Sequence, residues 1–333
     1  MNRLIFIWIL GLLSLQAMAQ QAITLEECYD KAIAYYPLSQ QEQLLQSAND
    51  LTIEKLNKTY LPKMAVNGQA SYQSDVTKVP IQEIPAFSIE PLSKDWYKLT
   101  LDVNQIIYDG SQTKNQKQVE DIGMKIDKQN LQVEYHNLKE RINLIYFAIL
   151  LQRSNKEILQ LHLDNLNAKI KEVKSGVENG VLLATNENVL KAEILKIEQS
   201  VSEVEANLEA SIRIMEKFTG MTISNDAEFI VPEIEVNTGT PENNRPEMTL
   251  FSLQQEKLEA SKKLTGSRTL PRLSAFGQAG YGRPGFDMLK NEFTDFYIVG
   301  AKLSWNFWDW NQTKKEKEIM GLQQQIIESQ RQT

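Results

Sequence analysis

Residues 97–104 read Tyr97-Lys98-Leu99-Thr100-Leu101-Asp102-Val103-Asn104, and apolar and polar side chains alternate along the whole stretch. Successive side chains of a β-strand point to opposite faces, so this pattern predicts a strand with one apolar and one polar face. Three further stretches alternate similarly, which gives strands at about 64–76, 95–108, 271–283 and 295–309. The segment 77–94, with three prolines, is predicted to be the longer external loop.

Two kinds of sheet fit this alternation: a half-exposed antiparallel sheet on a soluble core, and part of a barrel with lipid outside and water inside. The polar positions, which would face the barrel lumen, are Asn67, Gln69, Ser71, Lys98, Thr100, Asp102, Asn104, Lys302, Ser304 and Asn306. Aromatic residues crowd the strand ends and favour the barrel, because they collect at membrane interfaces. They are Tyr72, Trp96, Tyr97, Tyr281, Tyr297, Trp305, Phe307, Trp308 and Trp310.

The start of the chain predicts a secretory signal peptide at 1–19. Arg3 precedes an apolar run from Leu4 to Leu15, and Ala17-Met18-Ala19 has the small-x-small pattern of a cleavage site. An uncleaved anchor is the alternative, although the run is shorter than the roughly 20 apolar residues that a spanning helix needs. No later stretch is long and apolar enough to span, so any crossing of a membrane would use β-strands.

The composition excludes several classes of function. The chain has 333 residues and a net charge of −7 without a Lys/Arg cluster, which argues against nucleic acid as a partner. One cysteine, two isolated histidines and the lack of a Gly-rich phosphate loop or nucleophile elbow leave no candidate catalytic, metal or cofactor site. We therefore expect no cofactor and no enzymatic activity.

The chain contains a tandem duplication, because two ordered blocks of sequence recur at nearly constant spacing. Tyr36-Pro37 and Leu61-Pro62 align with Arg245-Pro246 and Leu270-Pro271, and residues 108–114 align with 308–314. The first repeat is predicted to cover 20–233. The second is predicted to cover 234–333 and to begin with a helix at 247–268.

A long helical hairpin is predicted at 111–218. No proline occurs between residues 111 and 175, and apolar residues recur at heptad spacing from Leu131 through Ile142 and Ile149 to Val177. A second seam runs from Leu190 to Leu208, and the short connection between the two seams predicts an antiparallel pair with its tip near Gly180. The four strands are too few to close a barrel, which needs about eight. Two chains would supply eight strands and three would supply twelve, and the residues alone do not choose.

In this order, the elements resemble the TolC-like outer-membrane efflux protein family, from about Ile23 to the end of the chain. The resemblance rests on the two Pro pairs of each repeat, on Ile107-Tyr108-Asp109-Gly110 with Phe307-Trp308-Asp309-Trp310, and on the tip segment 179–185. It implies an α+β membrane protein: a homotrimer with long antiparallel coiled-coil hairpins, whose four transmembrane strands per chain form one 12-stranded β-barrel in the outer membrane of a Gram-negative-type envelope, with a helical extension into the periplasm.

The resemblance also implies a function, namely the passive exit duct of a tripartite efflux or type I secretion system. Its partners would be outer-membrane lipid, a periplasmic adaptor protein and an inner-membrane transporter that supplies the energy. Candidate adaptor contacts at the tip are Gly180, Val181, Leu182, Ala184 and Thr185, for which a tight helix connection is the plainer interpretation. The cargo stays open among drugs, metal ions and proteins.

Two departures from the family pattern and one rival function remain. Trp310 stands where the first repeat has Gly110, which allows a different turn geometry. The second repeat lacks a long hairpin after its strands, so we expect a C-terminally incomplete chain and assign no gate residues. The rival function is a secreted coiled-coil scaffold or adhesin with a small soluble sheet, which should be soluble without detergent.

Overall fold

The computed structural model describes residues 22–76, 93–233, 245–287 and 290–332. The predicted signal peptide at 1–19 and most of the predicted external loop lie outside these residues. Within the described ranges the chain forms long helices, one four-stranded sheet and one short two-stranded sheet. In chain order the elements are β1 (Ala22–Ile23), α1 (Leu25–Tyr35), α2 (Leu38–Asn57), β2 (Lys63–Tyr72), β3 (Asp95–Tyr108), α3 (Gln112–Glu178), α4 (Ala184–Thr219), β4 (Glu228–Phe229), α5 (Pro246–Ser267), β5 (Arg272–Arg283), β6 (Thr294–Ser304) and α6 (Gln312–Arg331).

The chain divides into two compact units, each made of two separate segments. The first, called the core unit here, combines Met1–Glu42 with Asn130–Pro246. The second, called the sheet unit, combines Gln43–Gln129 with Glu247–Thr333. The sheet unit takes residues from both predicted repeats, so the predicted repeat boundary at 233 does not separate two compact units.

The core unit is held together by an apolar core between its helices and its short parallel sheet. Ile142 and Ile149 of α3 are fully buried, at positions where the heptad pattern places the seam, and Tyr146, which lies outside that pattern, is fully buried with them. They pack with residues from α1, α4, the two short strands and the segment between α4 and β4: Ile23, Leu25, Cys28, Ala32, Ile212, Met215, Ile223, Ala227 and Phe229. The core therefore joins segments that are far apart in sequence.

Tyr146 connects this core to the two-stranded sheet. Its hydroxyl lies 2.8 Å from the carbonyl oxygen of Ile23 and 2.6 Å from that of Ile230, so its single proton can be donated to either. The ring packs edge-on against Phe229, with 5.2 Å between centroids. Burial raises the pKa of the Tyr146 hydroxyl to about 12. The phenol therefore stays protonated and able to donate across the physiological range.

The sheet unit contains one antiparallel sheet with strand order β2-β3-β5-β6. Its central pair, β3 with β5, joins the two repeats, and Leu101 lies opposite Ala279 there. The outer strand β6 ends at Ser304 rather than at the predicted residue 309. It ends there because Ser304 lies opposite Arg272, the first residue of β5, and within the described ranges no strand pairs with the residues that follow. Among the described residues, no helix combines the length and the apolarity that crossing a membrane requires.

Candidate functional sites: the two sheet faces and the hairpin tip

The strand register places nine of the ten predicted lumen residues on one face of the sheet, called the polar face here. Asn67 lies opposite Thr100, Gln69 opposite Lys98, and side chains two residues apart share a face. The nine are Asn67, Gln69, Ser71, Lys98, Thr100, Asp102, Asn104, Lys302 and Ser304. The tenth, Asn306, lies two residues past the end of β6, so its assignment to a strand face was wrong.

A hydrogen-bond network on the polar face centres on Asp102. Its carboxylate accepts from the Asn67 amide at 2.6 Å, from the Thr100 hydroxyl at 3.0 Å and from the Gln278 amide. These donors stand on three neighbouring strands, β2, β3 and β5. The carboxylate is therefore held in place by neutral donors, and Thr100 is buried beneath the network.

The polar face also carries aromatic rings that the sequence analysis did not treat as part of it. Phe276 and Phe296 lie on this face, and Phe296 is buried. Each ring lies over a glycine of the neighbouring strand: a Cβ at Gly300 would come within 2.8 Å of Phe276, and one at Gly280 would overlap Phe296. In each of these strands a phenylalanine precedes a glycine by four residues, Phe276 with Gly280 and Phe296 with Gly300, and this shared spacing was the signal that could have revealed the contacts.

The opposite face of the sheet, called the apolar face, is exposed in this chain. Val66 leaves 70% of its surface accessible, Val299 74% and Leu303 68%. Their neighbours on this face include Met64, Leu99, Leu101, Tyr97, Tyr281 and Tyr297, which are also exposed. Soluble monomers rarely expose apolar patches beyond a few hundred Å². Among the described residues, no element packs over this face.

The predicted interface aromatics fall into two groups at opposite ends of the sheet. Tyr72, Tyr97, Tyr281 and Tyr297 lie on the apolar face at the end where β2 stops and β3 starts. Tyr97 and Tyr281 both stack on Phe293, with centroid distances of 6.3 and 5.7 Å.

At the other end, four exposed aromatic residues follow β6 without belonging to it: Trp305, Phe307, Trp308 and Trp310. The Trp305 indole N–H donates to the Thr269 carbonyl at 3.0 Å. Trp96 differs from the rest, since it lies opposite Ser71 on the polar face. Except for Trp96, the predicted interface residues thus occupy the apolar face or the end of the sheet.

The turns that follow β3 and β6 have the same geometry despite their different residues. Gly110 and Ser111 have positive φ values of 69° and 65°, and Trp310 and Asn311 have 55° and 63°. In both turns the aspartate accepts a hydrogen bond from the backbone four residues later, at 2.7 Å for Asp109 and 3.0 Å for Asp309. Burial alone would raise the pKa of Asp109, but hydrogen bonds from Thr113 and Tyr60 outweigh it and hold the pKa below its usual value.

The tip of the helical hairpin is a tight connection between α3 and α4. The backbone N–H groups of Val181 and Leu182 both donate to the Gly176 carbonyl, at 2.8 and 3.1 Å. Gly180 has a φ of 71°, which favours glycine because it has no Cβ. Leu182 packs on Gly176, where a Cβ would lie 2.7 Å from the leucine methyl.

The predicted tip residues are accessible, and one further residue belongs with them. Val181 is 78% exposed, and Ala184 and Thr185 are exposed at the start of α4. Leu182 is only marginally exposed because it folds back on Gly176. Leu183, which the sequence analysis did not select, is as open as Val181. The run Val181-Leu182-Leu183 was the available signal, and the structure separates its packed middle residue from its two exposed neighbours.

No metal centre is found among the residues that the structure describes. They contain no group of three or more His, Cys, Asp or Glu side chains that could hold a metal ion. Cys28 is buried, and burial, with the nearby charges of Glu27 and Glu26, raises the pKa of its thiol to about 12. The thiol is therefore neutral at physiological pH and is a poor nucleophile.

The comparisons with known proteins concern the fold. No family model and no curated protein matches the sequence. The chain is similar to the CmeC outer membrane channel of Campylobacter jejuni, with a TM-score of 0.67, 13% identity, and coverage of 92% of this chain and 66% of that one. It is also similar to the outer membrane protein VceC of Vibrio cholerae, with a TM-score of 0.65, 14% identity, and coverage of 92% and 74%.

A third similar structure is CusC, described in terms of folding and transmembrane channel formation, with a TM-score of 0.68, 12% identity, and coverage of 92% and 71%. The chain thus spans about two thirds to three quarters of the length of these proteins. At such low identity the similarity shows the fold. The chain has the fold of outer-membrane channels, and none of these neighbours is described as an enzyme.

Proposed function

We propose that this chain, which has the fold of outer-membrane channels, forms the passive exit duct of a tripartite efflux or type I secretion system. The observation that carries the proposal is the exposed apolar face of the sheet, with a polar face directly behind it. One face would meet lipid and the other would line a water-filled lumen. The function requires no bond-making chemistry, which agrees with a neutral Cys28.

The energetics of the apolar face support a lipid environment. Burying a Val or Leu side chain is worth about 1.5–3 kcal/mol, and this face offers several of them across four strands. A globular protein would place such residues in its own core, as the core unit does with Ile142 and Ile149. The four-stranded sheet does not do so.

The edges of the sheet support an assembly of several chains. β2 and β6 are the outer strands, and each has one edge without a partner strand among the described residues. Unpaired backbone groups in lipid cost several kcal/mol each, so β2 of one chain would pair with β6 of the next. Three chains would close a 12-stranded barrel, which is the number that the family resemblance implies.

The hairpin tip supports the proposed partners. We assign adaptor contact to Gly180, Val181, Leu182, Ala184 and Thr185, together with Leu183, because exposed Val181 and Leu183 offer apolar surface. In this arrangement the barrel lies in the outer membrane, the helices extend into the periplasm, and an inner-membrane transporter supplies the energy.

Fractionation of the protein tests the duct. We expect it in the outer membrane, extractable only with detergent, and running as a trimer on an unheated gel and by native mass analysis in detergent. A detergent-free soluble monomer or dimer would overturn the duct and favour the secreted coiled-coil scaffold or adhesin.

Co-purification of a periplasmic adaptor tests the tip separately. Val181→Asp should reduce the amount of adaptor recovered, because it places a charge on the exposed apolar surface. Lys171→Asp, an exposed position on α3 about two turns before the loop, is the matched control and should recover the adaptor normally. Equal recovery with both variants would rule the tip out.

A further inference from the structure

The polar face of the sheet is strongly basic, although the whole chain is acidic. The chain has a net charge of −7, yet the strand residues of this face include four basic side chains and one acidic one. The basic residues are Lys63, Lys98, Arg272 and Lys302, and the acidic residue is Asp102. The excess of positive charge is therefore local to this face.

The single carboxylate on this face accepts several hydrogen bonds, whereas most of the basic side chains have no carboxylate partner among the described residues. Asp102 accepts hydrogen bonds from neutral donors on three strands and lies within the field of Lys98, whose ammonium sits 4.9 Å above the Phe296 ring. Within the described ranges, no ion pair is found for Lys63, Arg272 or Lys302, and all three are exposed. Three ammonium or guanidinium groups therefore face the solvent of this surface without a carboxylate partner.

These three groups lie close to one end of the sheet. Lys63 begins β2, Arg272 begins β5, and Lys302 stands two residues before the end of β6. Arg272 and Lys302 line a groove of about 440 Å³, which Asp109 also lines. The Asp109 carboxylate accepts hydrogen bonds from the Thr113 backbone N–H at 2.7 Å and from Tyr60, and among the described residues it forms no ion pair with Arg272 or Lys302.

We propose that this face makes the conduit selective for anions, so that negatively charged solutes pass in preference to cations. This inference rests on the proposed function, since it requires the polar face to line a lumen. Rings of Lys and Arg side chains produce anion selectivity in pores, because they raise the local concentration of anions and repel cations. Three chains would repeat the excess three times around the lumen.

Reversal potentials of the purified protein in a planar bilayer under a potassium chloride gradient test this inference. We expect chloride to be the more permeant ion, with a chloride-to-potassium permeability ratio above about 1, because rings of basic side chains favour anions in pores. The combined variant Lys63→Gln, Arg272→Gln and Lys302→Gln should bring the ratio close to or below about 1. Its matched control, Lys63→Arg with Arg272→Lys and Lys302→Arg, keeps every charge and should keep the ratio.

A single substitution should change the chloride-to-potassium permeability ratio in the opposite direction. Asp102→Asn removes the single acidic strand residue of the face and should raise the ratio above that of the original protein. A conducting trimer with a ratio at or below about 1, or with a ratio that the glutamine variant leaves unchanged, would overturn anion selectivity while the duct stands. A protein that forms no channel would overturn the duct, and this inference with it.

Discussion

In the core unit, Ile142, Tyr146 and Ile149 are fully buried, whereas on the sheet of the other unit Val66, Val299 and Tyr297 leave at least 70% of their surfaces open. Both units are rich in apolar residues at regular spacing. The helical spacing directs its residues into a core within the chain, and the strand spacing directs its residues outward. The core unit therefore carries its own apolar environment, whereas the apolar face of the sheet has none among the described residues, and under the proposed function lipid would supply it.

The largest effect should come from the core of the first unit. Ile142→Ala should lower the free energy of unfolding by about 2–5 kcal/mol, because it leaves a cavity among fully buried side chains. Ile142→Val removes less volume and should cost only about 0.5–1.5 kcal/mol. Denaturant unfolding followed by circular dichroism measures both. Equal, small losses would mean that this core is loosely packed and would weaken the contrast with the sheet.

Arginine on the apolar face should have the next largest effect. Val299→Arg should cost about 2–4 kcal/mol near the bilayer midplane and reduce the recovery of membrane-inserted trimers. The neighbouring change Ile298→Arg lies on the polar face and should be tolerated. Heat-modifiable gel mobility of outer-membrane fractions compares the two. If both variants assemble equally well, lipid does not cover the apolar face.

Tyr146→Phe isolates the polar contact inside the core unit. It removes the hydroxyl beside the Ile23 and Ile230 carbonyls; the Ile23 carbonyl still accepts from the Ile230 backbone N–H at 3.1 Å, but the Ile230 carbonyl loses its hydroxyl donor, and the change should cost about 1–3 kcal/mol. The advantage of tyrosine should also shrink as the pH rises from about 10 towards about 12, because the unfolded phenol ionises before the folded one. Unfolding curves at neutral and alkaline pH test both points, and a constant difference between the proteins would contradict the assignment.

The smallest effect concerns the tip, where the core unit meets solvent. Gly180→Ala should cost about 1–2 kcal/mol through its positive φ alone, since a Cβ there would meet no atom within 4 Å. Gly180→Asn should cost less, because asparagine tolerates this conformation better. Thermal unfolding distinguishes the two, and an alanine variant as stable as the original would show that the tip can adopt another geometry.

Periodicity made much of this molecule predictable. The alternation at 97–104 corresponds to a strand, and the register places the predicted polar residues together, because a period of two assigns faces without knowledge of the partner strand. The heptad seam likewise corresponds to the buried positions Ile142 and Ile149. Strand ends were less predictable: Asn306 lies outside β6 because β5 begins only at Arg272.

The features that the sequence did not predict depend on long-range strand pairing and on side-chain capping. Nothing local to Tyr97 or Arg283 specifies that they lie opposite each other, so the grouping of both repeats into one sheet could not be predicted. The turn at Trp310 keeps the geometry of its counterpart because the Asp309 carboxylate caps Thr313, and this hydrogen bond outweighs the preference of tryptophan for negative φ. The clustering of basic residues likewise became visible only with the register.

The pairing of β3 with β5 imposes an order on biosynthesis. β2 and β3 are synthesised early. β5, which pairs with the other edge of β3, follows only after the whole helical hairpin has been synthesised. At about 5–20 residues per second, this interval lasts on the order of ten seconds or more. During this time the early hairpin keeps an unpaired edge and an open apolar face, a combination that promotes aggregation. The paired β2 and β3 are therefore the part of the chain most exposed to aggregation until β5 has been made.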